Sequence, residues 1–285
     1  MQVTFLGTGG PRPDPTRQGP ATLVEAAGLN LLFDAGRGVA TQLVRAGVDV
    51  VDLDAIFITH HHFDHIGGLG DLLMAVWNNG RTDPLLVVGP PETAAIIDAL
   101  FSGVYGRDIT FRIVEEWTLT RRLEPPTAMV EVREINAGTV ELLRGVEVVV
   151  GEVEHGAAAL ELTSDEWVSV GYRIVADGHV VTISGDAVAG RDLPLLAADA
   201  DVLVMCAYLA EDEITSAYDE FLVGKVLAGV PQAVAIATDA GVGTLVLTHI
   251  REKSDEAIET MVARAAASFD GPVIAAHDLD TLDVC

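Results

Sequence analysis

A cluster of histidines in the segment Phe57–Leu73, FITHHHFDHIGGLGDLL, holds four of the eight histidines of the chain within six positions. An apolar, strand-like run precedes the cluster and glycines follow it. Because alternate residues after a strand point the same way, His60 and His62 are expected to converge on one point. Asp64 and His65 lie where the chain turns toward the next helix and can address a second point nearby. Imidazole and carboxylate are the ligands that Zn²⁺, Fe²⁺ and Mn²⁺ take when no thiolate is present, so the segment predicts a metal site.

Three more candidate ligands lie in similar settings farther along the chain. His155 follows a β-like run in GEVEHG, Asp186 follows the second strand of a predicted hairpin in VTISGDAVAG, and His249 follows a short apolar run in TLVLTHI. Since each of them ends a strand, all can meet at one edge of the sheets. The alternative is a surface cluster of histidines, which the interposed aspartate and the buried strand before it disfavour.

Composition limits the classes of protein to consider. The chain has 285 residues, 49% of them hydrophobic, which suffices for one large domain with a sizeable core. The first ten residues show no basic or apolar signal segment, no apolar run reaches the length of a membrane span, and two cysteines make no disulfide framework, so a cytoplasmic protein is expected. The net charge of −26, from 17 basic and 43 acidic residues, should repel polyanions and lacks the basic footprint of a nucleic-acid binder.

Strand-like and helix-like runs alternate, which is typical of α/β architecture. The pattern favours one domain over residues 1–285, built from two similar halves, with a lid or dimer-contact segment at about residues 104–137. Residues 109–153 are predicted to form short β-like pieces, and residues 170–183 a hairpin with its turn at Asp177-Gly178. The predicted helices are Arg37–Gly47, Pro231–Asp239 and Lys253–Ala267.

Six pieces of the sequence, taken in order, resemble the metallo-β-lactamase superfamily over nearly the whole chain. They are FLGTGG, LLFDAG, THHHFDHIGGL, EHG, SGDAVAG and LTHI. The resemblance implies an α/β fold, α+β in some schemes, in which two sheets face each other between helices as a four-layer αββα sandwich. It also implies two Zn²⁺, with Mn²⁺ or Fe²⁺ as alternatives. Carried over by position, the implied ligands are His60, His62 and His155 for the first metal, Asp64, His65 and His249 for the second, and Asp186 as the bridge.

The implied chemistry is hydrolysis by a dinuclear metal centre. Two close dications lower the pKa of a shared water, and the resulting hydroxide attacks a carbonyl carbon or a phosphorus. Asp64 and Asp186 are the implied catalytic carboxylates. Asp34, in LLFDAG, matches a position that supports metal-ligating histidines, although an ordinary strand-to-helix turn explains it equally well.

Other residues are weaker candidates for the pocket. They are Cys206, Tyr208 and His277, and for Cys206 we favour a buried core residue, because free cysteine is among the most buried residue types. His61 alternates with its neighbours and should point away from the metals.

Within the superfamily, the sequence resembles the ribonuclease Z and arylsulfatase-like branch. It departs from ribonuclease Z in having MCAY at 205–208 instead of HEAT, no histidine near Leu227, and no long basic arm between His155 and Asp186. We therefore expect a small-molecule substrate (a phosphodiester, sulfate ester, carboxylic ester or lactone), no nucleic-acid or membrane partner, and, as in relatives of this branch, a homodimer. The alternatives are a tRNA 3′-endonuclease, an iron-dependent oxidoreductase on the same ligands, and a binding protein without catalysis.

Overall fold

The computed structural model describes residues 1–163, 166–188 and 193–285. Over these residues the chain forms fourteen strands, with helices between them. The strands are β1 (Gln2–Gly7), β2 (Ala21–Ala26), β3 (Leu29–Phe33), β4 (Ala55–Phe57), β5 (Leu85–Gly89), β6 (Val130–Glu134), β7 (Val140–Leu143), β8 (Val146–Glu152), β9 (Val170–Ala176), β10 (His179–Ile183), β11 (Val202–Cys206), β12 (Thr244–Thr248), β13 (Val273–Ala275) and β14 (Thr281–Asp283). The helices are α1 (Val39–Arg45), α2 (Phe63–Ile66), α3 (Leu69–Asn78), α4 (Thr93–Ala99), α5 (Gly106–Thr118), α6 (Leu193–Leu196), α7 (Ala217–Lys225), α8 (Val230–Asp239) and α9 (Asp255–Ala266).

The strands form two seven-stranded mixed sheets. The first has the order β14-β1-β2-β3-β4-β5-β6 and the second β13-β12-β11-β10-β9-β8-β7. Strands β3 to β6 run parallel in the first sheet, and β10 to β13 run parallel in the second. The predicted hairpin is confirmed as β9–β10, and its turn residues Asp177 and Gly178 both have positive φ, at 55° and 80°, as a tight two-residue hairpin turn requires.

The sheets pack face to face around an aromatic cluster. Phe33 and Phe57 stack with ring centroids 4.9 Å apart, and Tyr172 of the opposite sheet packs on both rings at 5.4–5.5 Å. The Tyr172 hydroxyl donates a hydrogen bond to the Ile58 carbonyl at 2.6 Å, which ties the second sheet to the segment after β4. Outside, α1 and α3 cover the first sheet, and α6, α8 and α9 cover the second. The predicted four-layer αββα sandwich is confirmed.

One prediction about secondary structure is wrong. Residues 109–118, read as β-like, belong to helix α5. The β-branched and aromatic residues of DITFRIVEEWT favour strands locally, but Arg112 pairs with Glu115 and Glu116 at helical spacing and Ile109 is buried against the first-sheet helices. Of the motif SGDAVAG, residues 189 and 190 lie outside the described residues.

The stretch Ala217–Asp239 has the length and mean hydropathy, 1.6, of a membrane-spanning helix. It consists of two helices, α7 and α8, with residues 226–229 between them, and half of its apolar window is buried in the fold. Its composition is also that of a core helix, so it is weak evidence for a membrane span.

Candidate metal centre

The candidate ligands lie at one edge of the sandwich, where strands of both sheets end. Asp34 follows β3 and His60 follows β4, while His155, Asp186 and His249 follow β8, β10 and β12. These strands share one direction within each sheet, so the following side chains gather between the sheets. Asp34 and His249 have φ of 60° and 53°, a left-handed backbone that is strained for residues other than glycine and that recurs at functional sites.

Three histidines make up what we call the first group: His60, His62 and His155. The Nε2 atoms of His60 and His155 each lie 3.0 Å from His62 Nδ1. The Nδ1 atom of His155 lies 2.6 Å from the Val226 carbonyl oxygen, which can only accept, so this nitrogen carries the proton and Nε2 presents a lone pair. Three ring nitrogens therefore face one point.

Asp64, His65 and His249 make up the second group. His249 Nε2 lies 3.3 Å from Asp64 Oδ2. Asp186 lies between the groups: its Oδ1 is 3.3 Å from His65 Nε2 and 3.2 Å from His249 Nε2, and its Oδ2 is 3.8 Å from His155 Nε2. The two oxygens of one carboxylate thus face different groups, which suits a ligand shared by two metal ions.

Asp34 fixes the orientation of histidines in both groups. Its Oδ2 accepts a hydrogen bond from His65 Nδ1 at 2.7 Å, and the Thr59 hydroxyl donates to the same carboxylate at 2.8 Å. Because the Thr59 proton is then committed, His60 Nδ1 donates to Thr59 Oγ1 at 3.0 Å. Both histidines consequently direct Nε2 toward the centre, the arrangement that carboxylates impose on metal-ligating imidazoles.

The two groups differ in protonation. Burial, reinforced by neighbouring histidines, holds the pKa of His60 well below its ordinary value, lowers the pKa of His62 to about 4 and lowers that of His155. Burial also disfavours charge on His65, but Asp186 and Asp34 outweigh it and raise the pKa of His65 well above the ordinary value. The histidines around Asp186 overcome its burial and hold its pKa well below the ordinary value.

The arrangement of the donor atoms suits the binding of divalent metal ions better than hydrogen bonding among the side chains themselves. The four donor atoms of His60, His62, His155 and Asp186 lie within 4.8 Å of one another, and so do the three of the second group. Within the described part of the chain, the buried atoms His65 Nε2 and Asp186 Oδ1 have no hydrogen-bond partner, although they lie 3.3 Å apart. Buried polar atoms normally have hydrogen-bond partners. Two such atoms that lack partners and face the same position therefore indicate a site for a cation. The chain is therefore metal-binding, while the role of each residue as a ligand stays a prediction.

The remaining residues proposed for the pocket differ in their distance from the centre. Cys206 is buried beside the centre, where it accepts from the Ala187 amide at 3.3 Å, and burial raises the pKa of its thiol to about 12. Tyr208 packs near His249, with ring centroids 5.9 Å apart. His277 is exposed, pairs with Asp280 at 3.5 Å and belongs to neither cluster of converging donor atoms. His61 points away from the centre, as expected, with its Nε2 atom 2.9 Å from Thr93 Oγ1.

Two neighbours of the centre belong to no ligand motif. The sequence favours a packing or rim position for Trp167 and predicts that the loop of residues 10–20 forms part of the pocket wall. Trp167 lies on His62 with ring centroids 4.6 Å apart. The loop of residues 10–20 closes over the other side: a side chain at Gly10 would lie 2.9 Å from His249 Cε1. Arg37 holds this loop by donating to the carbonyls of Gly10 and Arg12 at 3.0 and 3.1 Å. The sequence therefore indicates the pocket wall, and the fold reveals how closely both neighbours approach the histidines.

Comparison with known proteins gives a consistent result. The β-lactamase superfamily domain family matches residues 29–250. Ribonuclease Z of Mycobacterium bovis is 37% identical over 290 residues, which cover 100% of this chain and 98% of that protein. Among solved structures, the metallo-β-lactamase fold protein YhfI from Bacillus subtilis has a TM-score of 0.74 at 19% identity, covering 99% of this chain and 98% of its own. Human tRNase Z, short form, has a TM-score of 0.70 at 24% identity, and both chains are covered completely.

These relatives overturn the expectation of a small-molecule substrate without a nucleic-acid partner. The Mycobacterium bovis protein is named a ribonuclease, although its 290 aligned positions leave no room for a long arm beside the 285 residues of this chain. The missing arm therefore does not separate this chain from ribonucleases. The argument from net charge was wrong for a physical reason: −26 sums over the whole surface, whereas binding depends on the local potential.

Proposed function

We propose, from the premise that the chain belongs to the metallo-β-lactamase superfamily and is a metal-dependent hydrolase, that it is a ribonuclease Z-type endonuclease acting on the 3′ side of tRNA precursors. One observation carries the proposal: the 37% identity to a protein named ribonuclease Z extends over the full length of both chains. The fold and the seven converging side chains support the hydrolytic part.

Local charge near the second group supports a polyanionic substrate. Arg12 is exposed on the loop that lies against His249. Arg37, which donates to this loop, and Arg251, two positions after His249 in the sequence, are both half-buried. Guanidinium groups form bidentate hydrogen bonds with phosphate oxygens, so the exposed Arg12 can contact a phosphate near the second group. Positive side chains beside the metal centre can retain RNA on a protein that is acidic elsewhere.

We propose zinc as the resident metal, because imidazoles make up most of the donor set and no thiolate takes part among the described residues. Two such ions, when bound, supply a water of lowered pKa and charge stabilisation at the phosphoryl oxygens. Metal analysis of the purified protein checks this: two zinc per chain is the expected result, while stoichiometric iron with redox-active spectra would favour the oxidoreductase alternative.

The residues of the chain have separable parts in the reaction. Asp186 holds the two groups at a fixed separation through its two oxygens, and Asp64 adds a carboxylate able to orient an attacking water. Asp34 and Thr59 keep two imidazoles in one tautomer. In residues 226–229, the Val226 carbonyl accepts from His155, and the Leu227 side chain is buried. No acidic side chain of this loop therefore reaches the leaving group, and the proton that the leaving group needs comes from elsewhere.

The decisive experiment is cleavage of a labelled tRNA precursor with a 3′ trailer by zinc-loaded protein. We expect a single labelled cleavage product. A chelator and the double variant Asp64→Ala, His65→Ala should each abolish its formation, and added zinc should restore the activity of the chelated native protein. His179→Ala, a histidine on the β9–β10 hairpin, is the matched control and should retain full activity. Hydrolysis of small phosphodiesters without any cleavage of the precursor would refute the RNA part of the proposal.

We also propose that a second copy of the chain covers the outer face of α5. Phe111, Val114 and Trp117, at intervals of three residues, are 68%, 58% and 75% exposed. Residues of this kind at helical spacing form one apolar stripe, and such stripes are normally buried. Light scattering should give the mass of a dimer for the native chain and of a monomer for Phe111→Asp, with α5 still helical.

A further inference from the structure

A cavity of about 600 Å³ opens beside the first group, and none of its described lining residues belongs to the loop of residues 10–20, which carries Arg12 and is called the arginine-bearing loop below. Its walls come from the segments after β4 and β5, from the β6–β7 connection, and from the segment that leads into β9. The lining residues used below are Trp167, His61, Glu92, Glu152, Glu166 and Asn136. The size is that of pockets that take small organic groups.

Trp167 forms the boundary between this cavity and the metal centre. Its ring lies 4.6 Å from His62, 5.9 Å from His60 and 6.3 Å from His155, measured between centroids. The indole also lines the cavity and is partly exposed there. A group seated in the cavity therefore meets an aromatic ring that itself touches the histidines of the first group.

The backbone around Trp167 is fixed. Its amide donates to the Thr163 carbonyl at 2.9 Å, and the Val170 amide donates to the Thr59 carbonyl at 3.0 Å, one residue before His60. The Glu166 carboxylate accepts from the amide and the hydroxyl of Thr163 at 2.9 and 3.0 Å. The backbone that carries the indole is thus tied at Val170 to the segment that presents the histidines, which helps to fix a recognition surface.

The polar groups of the cavity are mostly acceptors. Glu92, Glu152 and Glu166 contribute carboxylates, and no lysine or arginine lies among the described lining residues. His61 adds a further acceptor: since the Thr93 hydroxyl donates to the Pro90 carbonyl at 2.6 Å, His61 must donate from Nε2 and keep a lone pair on Nδ1. Such a cavity disfavours phosphate and favours a flat group that carries N–H donors.

We propose that this cavity binds the unpaired nucleobase next to the scissile phosphate, stacked on Trp167, with its exocyclic amino group donating to the carboxylates. The inference rests on the proposed ribonuclease function and specifies how that substrate lies. Unpaired bases in RNA are recognised by stacking on aromatic side chains and by hydrogen bonds to their edges. The phosphate then lies toward the arginine-bearing loop and the base toward Trp167, so that the two sides of the centre take different parts of one nucleotide.

The test compares two precursor tRNAs that differ only in whether the nucleotide on the 5′ side of the mapped cleavage site carries a base or is abasic. Stacking on an aromatic side chain favours binding by about ten-fold or more. Trp167→Leu should therefore lower kcat/KM by ~10-fold on the complete precursor and by less than about two-fold on the abasic one. Trp167→Phe should recover most of the loss, and Tyr218→Leu, at an exposed aromatic residue on α7, should change neither rate.

A second pair of variants tests the carboxylates. The substrates are precursors that carry either adenine or unsubstituted purine, which lacks the exocyclic amino group, at the nucleotide on the 5′ side of the cleavage site. Glu152→Gln, at the cavity end of β8, should reduce the preference of the enzyme for the adenine-containing precursor. Glu147→Gln, on the same strand but outside the lining, should leave that preference unchanged.

The outcomes separate the two proposals. If the native enzyme cleaves no precursor, the ribonuclease function and the base site both fail. If it cleaves, but Trp167→Leu slows the complete and abasic precursors equally with metal content intact, the base site alone is refuted and Trp167 serves only to cover the histidines.

Discussion

The two groups of the metal centre share the bridging Asp186 but have opposite surroundings. The first group contains imidazoles only, and burial with mutual repulsion keeps the pKa of each histidine low, so the ring nitrogens are neutral and available to a cation. In the second group, His65 lies between Asp34 and Asp186, which raise its pKa. A cation entering the first group displaces no proton, whereas one entering the second must displace the proton of His65.

The groups also open to different surroundings. Trp167 and an acidic cavity adjoin the first group, whereas the loop that carries Arg12 and is held by Arg37 adjoins the second. Under the proposed ribonuclease function, this asymmetry would let a protein of net charge −26 accommodate a nucleotide, with each side of the centre taking one part of it. Experiments that alter one side at a time should separate these contributions.

The largest effect is expected from Asp186→Asn, because this carboxylate faces both groups. An amide cannot offer two anionic oxygens, so the affinity for both ions should fall and RNA cleavage should drop by ~10³-fold or more. Metal content by mass spectrometry and cleavage rates measure the two effects. The exposed Asp239→Asn on α8 is the control. Full occupancy by two ions in Asp186→Asn would show that the groups bind metal independently of the bridge.

A smaller effect that favours one group is expected from Asp34→Asn. The carboxylate accepts directly from His65 Nδ1 but reaches His60 only through Thr59. Loss of such a support typically costs 10–100-fold in metal affinity or activity. Titration with zinc should therefore show weakened binding of one ion per chain and nearly unchanged binding of the other. Equal weakening of both ions would contradict the contrast between the groups.

The contrast in pKa predicts the pH dependence of the metal-free protein. Folded His62 has a pKa of about 4 against an ordinary 6.5, so between these values the unfolded chain binds the additional proton and the free energy of unfolding falls as the pH falls. His65 acts in the opposite direction: its raised pKa stabilises the fold fully below 6.5, and this stabilisation is lost as the pH rises. The melting temperature should be highest near pH 6.5.

Thermal unfolding in the presence of a chelator, from pH 4 to pH 9, measures this profile. His65→Gln should flatten the alkaline side most and the acidic side slightly, because His65 also helps to lower the pKa of His60 and His62, whereas His277→Gln, at an exposed histidine, should change neither. A melting temperature that rises steadily from neutral to alkaline pH would contradict the role assigned to His65.

The sequence predicted which side chains follow the strand ends, but it did not predict which other residues pack against those side chains. His60, His62 and Asp64 could be identified because period-two alternation and the choice of donor atoms are local properties of the chain. The histidines and aspartate farther along could be placed because strands of one direction end at one edge. Asp34 remained ambiguous, since an aspartate after a strand also suits an ordinary turn, and only the 2.7 Å contact with His65 reveals its part.

Other features depend on tertiary contacts that no local pattern encodes. Helix α5 carries residues that favour strands, and packing of Ile109 together with ion pairs at helical spacing determines its structure. Trp167 lies twelve positions after His155 in a segment without periodicity, so its contact with His62 follows from the fold alone. Net charge, likewise, contains no information about where the arginines lie.

The smallest effect is expected from Arg12→Gln, which changes the surroundings of the second group without touching a ligand. Arg12 is exposed on the loop whose Gly10 lies against His249, so its guanidinium can contact a phosphate of bound RNA. Losing one phosphate contact should weaken RNA binding a few-fold and lower the slope of log affinity against log salt by about 1. Arg122→Gln, at an exposed arginine after α5, is the control. An unchanged salt slope would place the phosphates elsewhere, and the division of the nucleotide between the two sides would then rest on Trp167 alone.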